Sequence, residues 1–184
     1  EYEPVLGARG CDKAAEFVSF CDAFNIPVLA LVNVKGYKQS KCTERRIAKA
    51  AGRLTYAFAN ADVPKVTVVI GEAYGSAYVT MNSKSIGADI VYAWPDAKIG
   101  MMDAAAAVKI MYAEEISASD KAAALISEKA AEYEALQSSA AAAAGRGYVD
   151  DIIKADETRQ RVIAAFEMLF TKREGRPSRK HGTV

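Results

Sequence analysis

The chain has 184 residues, is 51% hydrophobic and carries a formal net charge of +1. That length and composition fit one substantial core, so a single domain is expected. The near-neutral balance disfavours nucleic acid or an anionic membrane as the main partner, and no apolar run approaches the roughly 20 residues of a membrane helix.

No signal-peptide pattern opens the chain, although its first residue is Glu1 rather than Met. Cys11, Cys21 and Cys42 form no C-x-x-C pair, and their odd number reads as reduced thiols in a cytoplasmic protein. No metal site is expected, since soft-ligand clusters are absent and the single histidine, His181, lies near the end.

Asp12 is placed to cap a first helix running to about Phe24, with Phe17, Phe20, Cys21 and Phe24 sharing one inward face. Asn25-Ile26-Pro27 stops it. The next seven residues, 28–34, are an almost unbroken apolar run, the pattern of a strand buried on both faces. Lys35 to Lys41 reads as a polar loop. Thr43 caps a second helix that buries Ile47, Ala51, Leu54 and Phe58, and Pro64 restarts the chain into a strand over 66–70.

Gly71-Glu72-Ala73-Tyr74 then reads as a tight turn, with a helix opening at Gly75-Ser76-Ala77. The first N–H groups of a helix have no intrahelical acceptor, and small side chains let a ligand oxygen come close. Such a turn can bind an anion or stabilise one formed in a reaction, or it can serve only as a close strand–helix crossing. Residues 88–94 form the next strand, 98–101 a short one, and 104–112 a helix. Residues 120–144 are rich in Ala, Glu and Lys and read as helix, closed by Gly145-Arg146-Gly147. Tyr148 to Ile153 is a short extended piece, and a last helix over 156–170 buries Val162, Phe166 and Leu169. Residues 1–170 form the domain, and 171–184 read as a basic, exposed, mobile tail.

Strands alternating with helices imply βαβ units, a mostly parallel sheet, and ligands at the carboxyl ends of the strands. The two best strands end at Gly36-Tyr37 and at Gly75-Ser76-Ala77. If they are neighbours, their turns present converging amides to one place.

Side-chain catalysts are few. A Ser–His–Asp triad on Ser76 is poorly supported because His181 stands in the tail, and Tyr74-Gly75-Ser76-Ala77 lacks the second glycine of a G-x-S-x-G elbow. A Ser–Lys pair of Ser76 with Lys84 or Lys109 stays open. Asp150 and Asp151 point apart on an extended piece and read as structural caps. Glu72 is better placed but can simply pair with a surface lysine, and Glu114-Glu115 reads as a solvated helix end. Neither G-x-x-x-x-G-K-[ST] nor G-x-G-x-x-G occurs. What remains is chemistry by positioned backbone amides.

An ordered series of segments resembles the C-terminal half of the carboxyltransferase component of biotin-dependent acyl-CoA carboxylases and decarboxylases. It runs through Cys21-Asp22-Ala23-Phe24-Asn25-Ile26-Pro27, Val32-Asn33-Val34-Lys35-Gly36-Tyr37, Val63-Pro64-Lys65-Val66-Thr67-Val68, Ala73-Tyr74-Gly75-Ser76-Ala77-Tyr78 and Gly87-Ala88-Asp89. It continues through Ala93-Trp94-Pro95, Gly147-Tyr148-Val149-Asp150-Asp151-Ile152-Ile153, Thr158-Arg159 and Arg179-Lys180-His181-Gly182. The resemblance implies an α/β crotonase-like fold, a spiral of ββα units with a mostly parallel sheet flanked by helices, within the superfamily that includes the ClpP peptidases. It also implies that this chain is the second of two such domains. An acyl-CoA-binding N-terminal-type domain or subunit, a biotin carrier protein and a homo- or hetero-oligomer are the partners it implies. Biotin is the implied cofactor and a small acyl-CoA the substrate.

In that picture the amides of Gly75, Ser76 and Ala77 are catalytic and hold the ureido oxygen of carboxybiotin, while Gly36, Tyr37, Tyr74 and Tyr78 are the biotin-binding residues. No protein histidine is needed. The chain departs from the family pattern at three places. Lys35-Gly36-Tyr37 replaces Pro-Gly-Phe, with Gln39-Ser40 where a Pro-Gly is usual. Gly75-Ser76-Ala77 replaces Gly-Gly-Ala, and Met102-Asp103-Ala104-Ala105-Ala106-Ala107 replaces a glycine-rich segment. A non-catalytic assembly subunit with the same fold, and a crotonase-fold Ser–Lys peptidase, are the alternative readings.

Overall fold

The computed structural model describes residues 3–119 and 121–175. Its main sheet is parallel, in the order β2 (Val28–Val34), β4 (Lys65–Tyr74), β5 (Ile90–Ala93) and β7 (Asp151–Ile152), with β6 (Lys98–Gly100) beside the last residues of β4. A second, two-residue parallel pair joins β1 (Val5–Leu6) to β3 (Gly36–Tyr37). The helices are α1 (Ala8–Ala23), α2 (Lys41–Asn60), α3 (Gly75–Thr80), α4 (Ala104–Met111), α5 (Ala113–Ala118), α6 (Ala122–Tyr133), α7 (Ala140–Gly145) and α8 (Thr158–Met168). No helix among the described residues is long and apolar enough to cross a membrane.

β4 is the strand that organises the core. Its side chains alternate between two faces, and both faces are covered. Val66 and Val68 pack with Val162 and Ala165 of α8. Val69 and Ala73 pack with Ala77 and Tyr78 of α3 and with Ala140 and Ala143 of α7. A third cluster lies between α1 and α2, where Cys11, Ala15 and Val18 meet Ala50, Leu54 and Phe58.

Several sequence expectations change. In α1 the buried stripe is Ala8, Cys11, Ala15, Val18 and Cys21, while Phe17, Phe20 and Phe24 are 60%, 54% and 65% exposed. Both stripes have helical spacing, and the small one wins because it lets α1 lie close against α2. Asp12 caps nothing; it lies within α1 and pairs with Arg46 and Arg53 of α2 at 3.3 and 3.0 Å. β2 is covered on one face only: Val28, Val32 and Val34 are buried, whereas Leu29 and Leu31 point to the opposite face and are exposed, so the strand is not buried on both faces. The polar loop after it contains β3.

Ser40, not Thr43, caps α2; its Oγ accepts from the Thr43 N–H at 3.2 Å. β4 runs unbroken to Tyr74, so the expected turn at 71–74 is strand, and the chain enters α3 directly. The alanine-rich segment 120–144 is not one helix. α6 gives way to a π-helical turn at Glu134–Ser138, and Ser139 is extended, bridges to Lys98 and caps α7.

Other expectations hold. Asn25, at φ 56, ends α1 with the Ile26 N–H bonded to the Cys21 carbonyl at 2.8 Å, and Gly147, at φ 80, ends α7 in the same way through Tyr148 and Ala143 at 3.0 Å. The three cysteines are free, with Cys11 and Cys21 buried and Cys42 exposed. Burial pushes the Cys11 thiol up to about 11, with the Asp12 charge adding to it. Of the tail, Lys172 is tied to Asp89 at 2.9 Å and to the Val63 carbonyl at 3.3 Å. His181 and the rest of 176–184 lie outside the described residues.

Candidate active site at the carboxyl ends of β2 and β4

β2 and β4 are adjacent and parallel, in register from Val28↔Lys65 to Val32↔Val69. The register then slips, and Val34 faces Ala73, so β4 carries two extra residues there. Asn33 manages the slip. Its Oδ1 accepts the Glu72 N–H at 3.0 Å and occupies the space beside Gly71, where a Cβ would lie 2.7 Å from it. The consequence is that both strands deliver their ends to the same edge of the sheet. β2 leads into Lys35-Gly36-Tyr37, and β4 leads into Gly75-Ser76-Ala77. The expected convergence of the two ends is therefore present.

Gly75 has φ +60, a conformation that a side chain disfavours. A Cβ there would also sit 3.0 Å from the Met101 carbonyl oxygen, so the segment after β6 closes on the start of α3. The N–H groups of Gly75, Ser76 and Ala77 precede the first hydrogen-bonded turn of α3 and have no acceptor within it. Ser76 is exposed while Ala77 is buried. With Gly75 half-buried, the start of α3 meets the surface at Ser76.

Tyr37 joins the two ends. Its hydroxyl is 2.9 Å from Thr80 Oγ1 and 3.3 Å from the Ser76 carbonyl, and Thr80 Oγ1 donates to that carbonyl at 2.7 Å. Gly36 has nothing within 4 Å of the position a Cβ would take. Tyr74 and Tyr78 are both interior, at 5% and 7% exposure. Burial raises the Tyr74 hydroxyl to about 12, with the carboxylates of Glu72, Glu134 and Asp103 adding to it; burial alone raises Tyr78 to about 12. The structure thus brings Gly36, Tyr37, Gly75, Ser76 and Ala77 together and places the other two rings in the core.

The side-chain alternatives lose their partners. Lys84 Nζ lies 2.8 and 2.7 Å from the two carboxylate oxygens of Asp150 and donates to the Asp89 carbonyl at 3.1 Å, so it is an ion-pair cation rather than a base for Ser76. Lys109 is exposed on α4. Asp150 also accepts the Val91 N–H at 2.8 Å, whereas Asp151 faces Arg161 at 3.8 Å, so the two carboxylates diverge as structural groups. Glu72 pairs with the exposed Lys35 at 3.2 Å. Glu114 and Glu115 are exposed in the first turn of α5.

Sequence reasoning missed Asn33, Thr80 and Met101. Asn33 was legible as the one polar residue in an apolar strand. Thr80 stands four residues after Ser76, the spacing at which a hydroxyl bonds back to a helical carbonyl. Nothing in the sequence marked Met101, whose role is carried by its backbone.

A family model described as the carboxyl transferase domain matches residues 5–184. The chain belongs to this family. It is 44% identical over 178 residues to the methylmalonyl-CoA carboxyltransferase 12S subunit of Propionibacterium freudenreichii subsp. shermanii, covering 96% of this chain and 34% of that one. It is 44% identical over 174 residues to the methylmalonyl-CoA decarboxylase subunit alpha of Propionigenium modestum, covering 94% and 34%. The crystal structure of transcarboxylase 12S with methylmalonyl-coenzyme A and methylmalonic acid bound superposes with a TM-score of 0.92 at 43% identity, over 97% of this chain and 35% of that one. The beta subunit of P. aeruginosa geranyl-CoA carboxylase gives 0.78 at 26% identity, over 96% and 34%. The fold is thus the expected crotonase-like α/β class. The chain spans about a third of the length of the curated relatives it matches.

Proposed function

We propose that this chain is the biotin-facing part of a carboxyltransferase that moves a carboxyl group between carboxybiotin and a small acyl-CoA. The observation that carries this reading is the meeting of the β2 and β4 ends, which brings the Gly75, Ser76 and Ala77 N–H groups close to Tyr37, whose hydroxyl is taken up by Thr80 and the Ser76 carbonyl, while the nearby Lys35 and Glu72 are paired with each other. Membership of the carboxyl transferase family supports it, as do relatives named for carboxylation and decarboxylation of acyl-CoA.

The donor set suits biotin. A ureido oxygen accepts hydrogen bonds, and these groups only donate. The exposed Ser76 and the open space at Gly36 leave room for a ligand to approach. Gly75, Ser76 and Ala77 would hold the oxygen, and Gly36 and Tyr37 would flank it. Bound biotin supplies the carboxyl carrier and the proton-accepting ureido group. The chain's own contribution is to hold fixed donors where negative charge develops, which needs no rearrangement at the moment of reaction. Tyr74 and Tyr78 keep their hydroxyls protonated at neutral pH and act from the core, as packing for α3.

In this reading an acyl-CoA-binding N-terminal-type domain or subunit supplies the acyl-CoA pocket, a biotin carrier protein brings the biotin, and the parts work as a homo- or hetero-oligomer. The test is carboxyl exchange. The chain, assembled with an acyl-CoA-binding carboxyltransferase partner, is mixed with biotin and labelled methylmalonyl-CoA, and transfer of label is followed. Ala77→Pro removes one N–H from the first turn, and transfer should fall by about a hundredfold, as for the loss of one oxyanion donor. A demonstrably assembled complex that exchanges nothing sinks the proposal and favours a non-catalytic assembly subunit.

A further inference from the structure

We propose that Tyr37 is a positioning residue that acts through Thr80 to fix the Ser76–Ala77 peptide. The proposal rests on the reading that the Ala77 N–H faces the reacting oxygen. It assigns Tyr37 a task other than touching the ligand.

Proton counting gives the direction of the relay. Each hydroxyl has one proton to donate. Thr80 Oγ1 lies 2.7 Å from the Ser76 carbonyl oxygen, so the Thr80 proton goes there. Tyr37 then donates to Thr80 Oγ1 at 2.9 Å, with a longer branch of 3.3 Å to the same carbonyl. The peptide between Ser76 and Ala77 is planar, and its N–H points opposite to its C=O. Gripping the oxygen therefore fixes the nitrogen. Hydrogen bonds accepted at the oxygen also polarise the peptide and sharpen its N–H as a donor.

The relay is needed because α3 has only six residues and a helix that short is marginal by itself. Tyr37, in contrast, is held from outside α3. Leu6 pairs with it in the β1–β3 ladder, the Lys38 N–H donates to the Leu6 carbonyl at 3.0 Å, and the Lys35 N–H donates to the Pro4 carbonyl at 2.8 Å. The aim of the Ala77 N–H is thus set by a strand pair that lies outside the main sheet.

The experiment uses the whole 184-residue chain, labelled with nitrogen-15, and compares wild type with Tyr37→Phe and Thr80→Val by nitrogen-15 relaxation, because the Ala77 N–H has no acceptor within α3 and its orientation is what the relay fixes. The Ala77 order parameter should fall in each variant from about 0.85 towards about 0.6, with the amides of Val68 and Val69 in β4 unchanged. In the assembled complex kcat should fall about two- to tenfold while KM for the acyl-CoA stays the same, and the double variant should lose little more than either single one. Thr80→Ser keeps the hydroxyl and should restore the wild-type Ala77 order parameter, so the Ser and Val variants decide the matter even where Tyr37→Phe folds poorly. An unchanged Ala77 order parameter overturns the proposal. So does a fall that is equal at Val68 and Val69, which would mean general loosening. A wild-type complex without carboxyl exchange would overturn the proposed function alone, since the Ala77 readout is independent of it.

Discussion

Gly75→Ala probes the start of α3 more sharply than any other single change. The residue stands at φ +60, where a side chain costs about 1–2 kcal/mol. The new Cβ would also lie 3.0 Å from the Met101 carbonyl, and because that neighbour is backbone it cannot swing aside. Either the segment after β6 or the first turn of α3 must shift, which adds about 1 kcal/mol of strain. Alanine stiffens the unfolded chain and returns about 0.5 kcal/mol. The net loss is about 2 kcal/mol. Gly147→Ala is the matched control, since Gly147 has φ +80 and nothing within 4 Å of its Cβ position. It carries the backbone strain without the contact and should lose about 1 kcal/mol. With about 2–4 °C of Tm per kcal/mol for a chain of this size, Gly75→Ala should melt about 4–8 °C lower and Gly147→Ala about 2–4 °C lower. Thermal unfolding followed by circular dichroism reads both. Equal shifts would show that the Met101 contact contributes nothing, and an unchanged Tm for Gly75→Ala would refute the strain argument altogether. Carboxyl exchange should fall about a hundredfold in Gly75→Ala but stay near wild type in Gly147→Ala, because only the first moves the N–H donors.

Lys65 is 1% exposed, and its ammonium donates to the Phe58 and Ala61 carbonyls at 2.7 and 2.8 Å, closing the end of α2. Lys65→Met should destabilise the chain by about 3 kcal/mol, seen as a lower urea midpoint; a midpoint within error of wild type would refute the capping role. Tyr74 and Tyr78 titrate near 12 in the folded chain and near 10 when unfolded. The unfolded state therefore releases these protons first, so stability is complete below about pH 10 and is lost as pH rises towards about 12. Urea midpoints measured from pH 8 to pH 12 should decline over that window in wild type and less steeply in Tyr78→Phe, and parallel declines would refute the assignment.

Particular residues show why some of this was legible in the sequence. Val66, Val68 and Val69 declared a buried strand, because covered parallel strands have no polar side to alternate with, whereas the same apolar pattern at 28–34 misled, since one face of that strand leaves Leu29 and Leu31 exposed. Asn25 and Gly147 marked helix ends through a backbone conformation that few residues accept. The small residues at 75–77 marked a place where a backbone can be approached. By contrast, α1 offered two stripes of equal periodicity. The aromatic one, Phe17, Phe20 and Phe24, carried the greater hydrophobicity but not the burial, because only small residues allow α1 and α2 to approach.

The sequence by itself determined most of the strands and helices, where α3 begins, and, through the ordered run of family-like segments, what kind of protein this is. These follow from local rules: side-chain periodicity, capping and the demands of tight backbone turns act over a few residues. Only the tertiary structure decided that β2 is an edge strand, that Asn33 takes up the register slip with β4, and that Met101 closes on Gly75. It alone decided that Lys84 is spent on Asp150 and that Tyr37 reaches Ser76 through Thr80. The pairs Gly75–Met101, Asn33–Glu72, Tyr37–Thr80 and Lys84–Asp150 are separated by 26 to 66 residues, and such meetings depend on how strands register and helices pack, which no local pattern encodes.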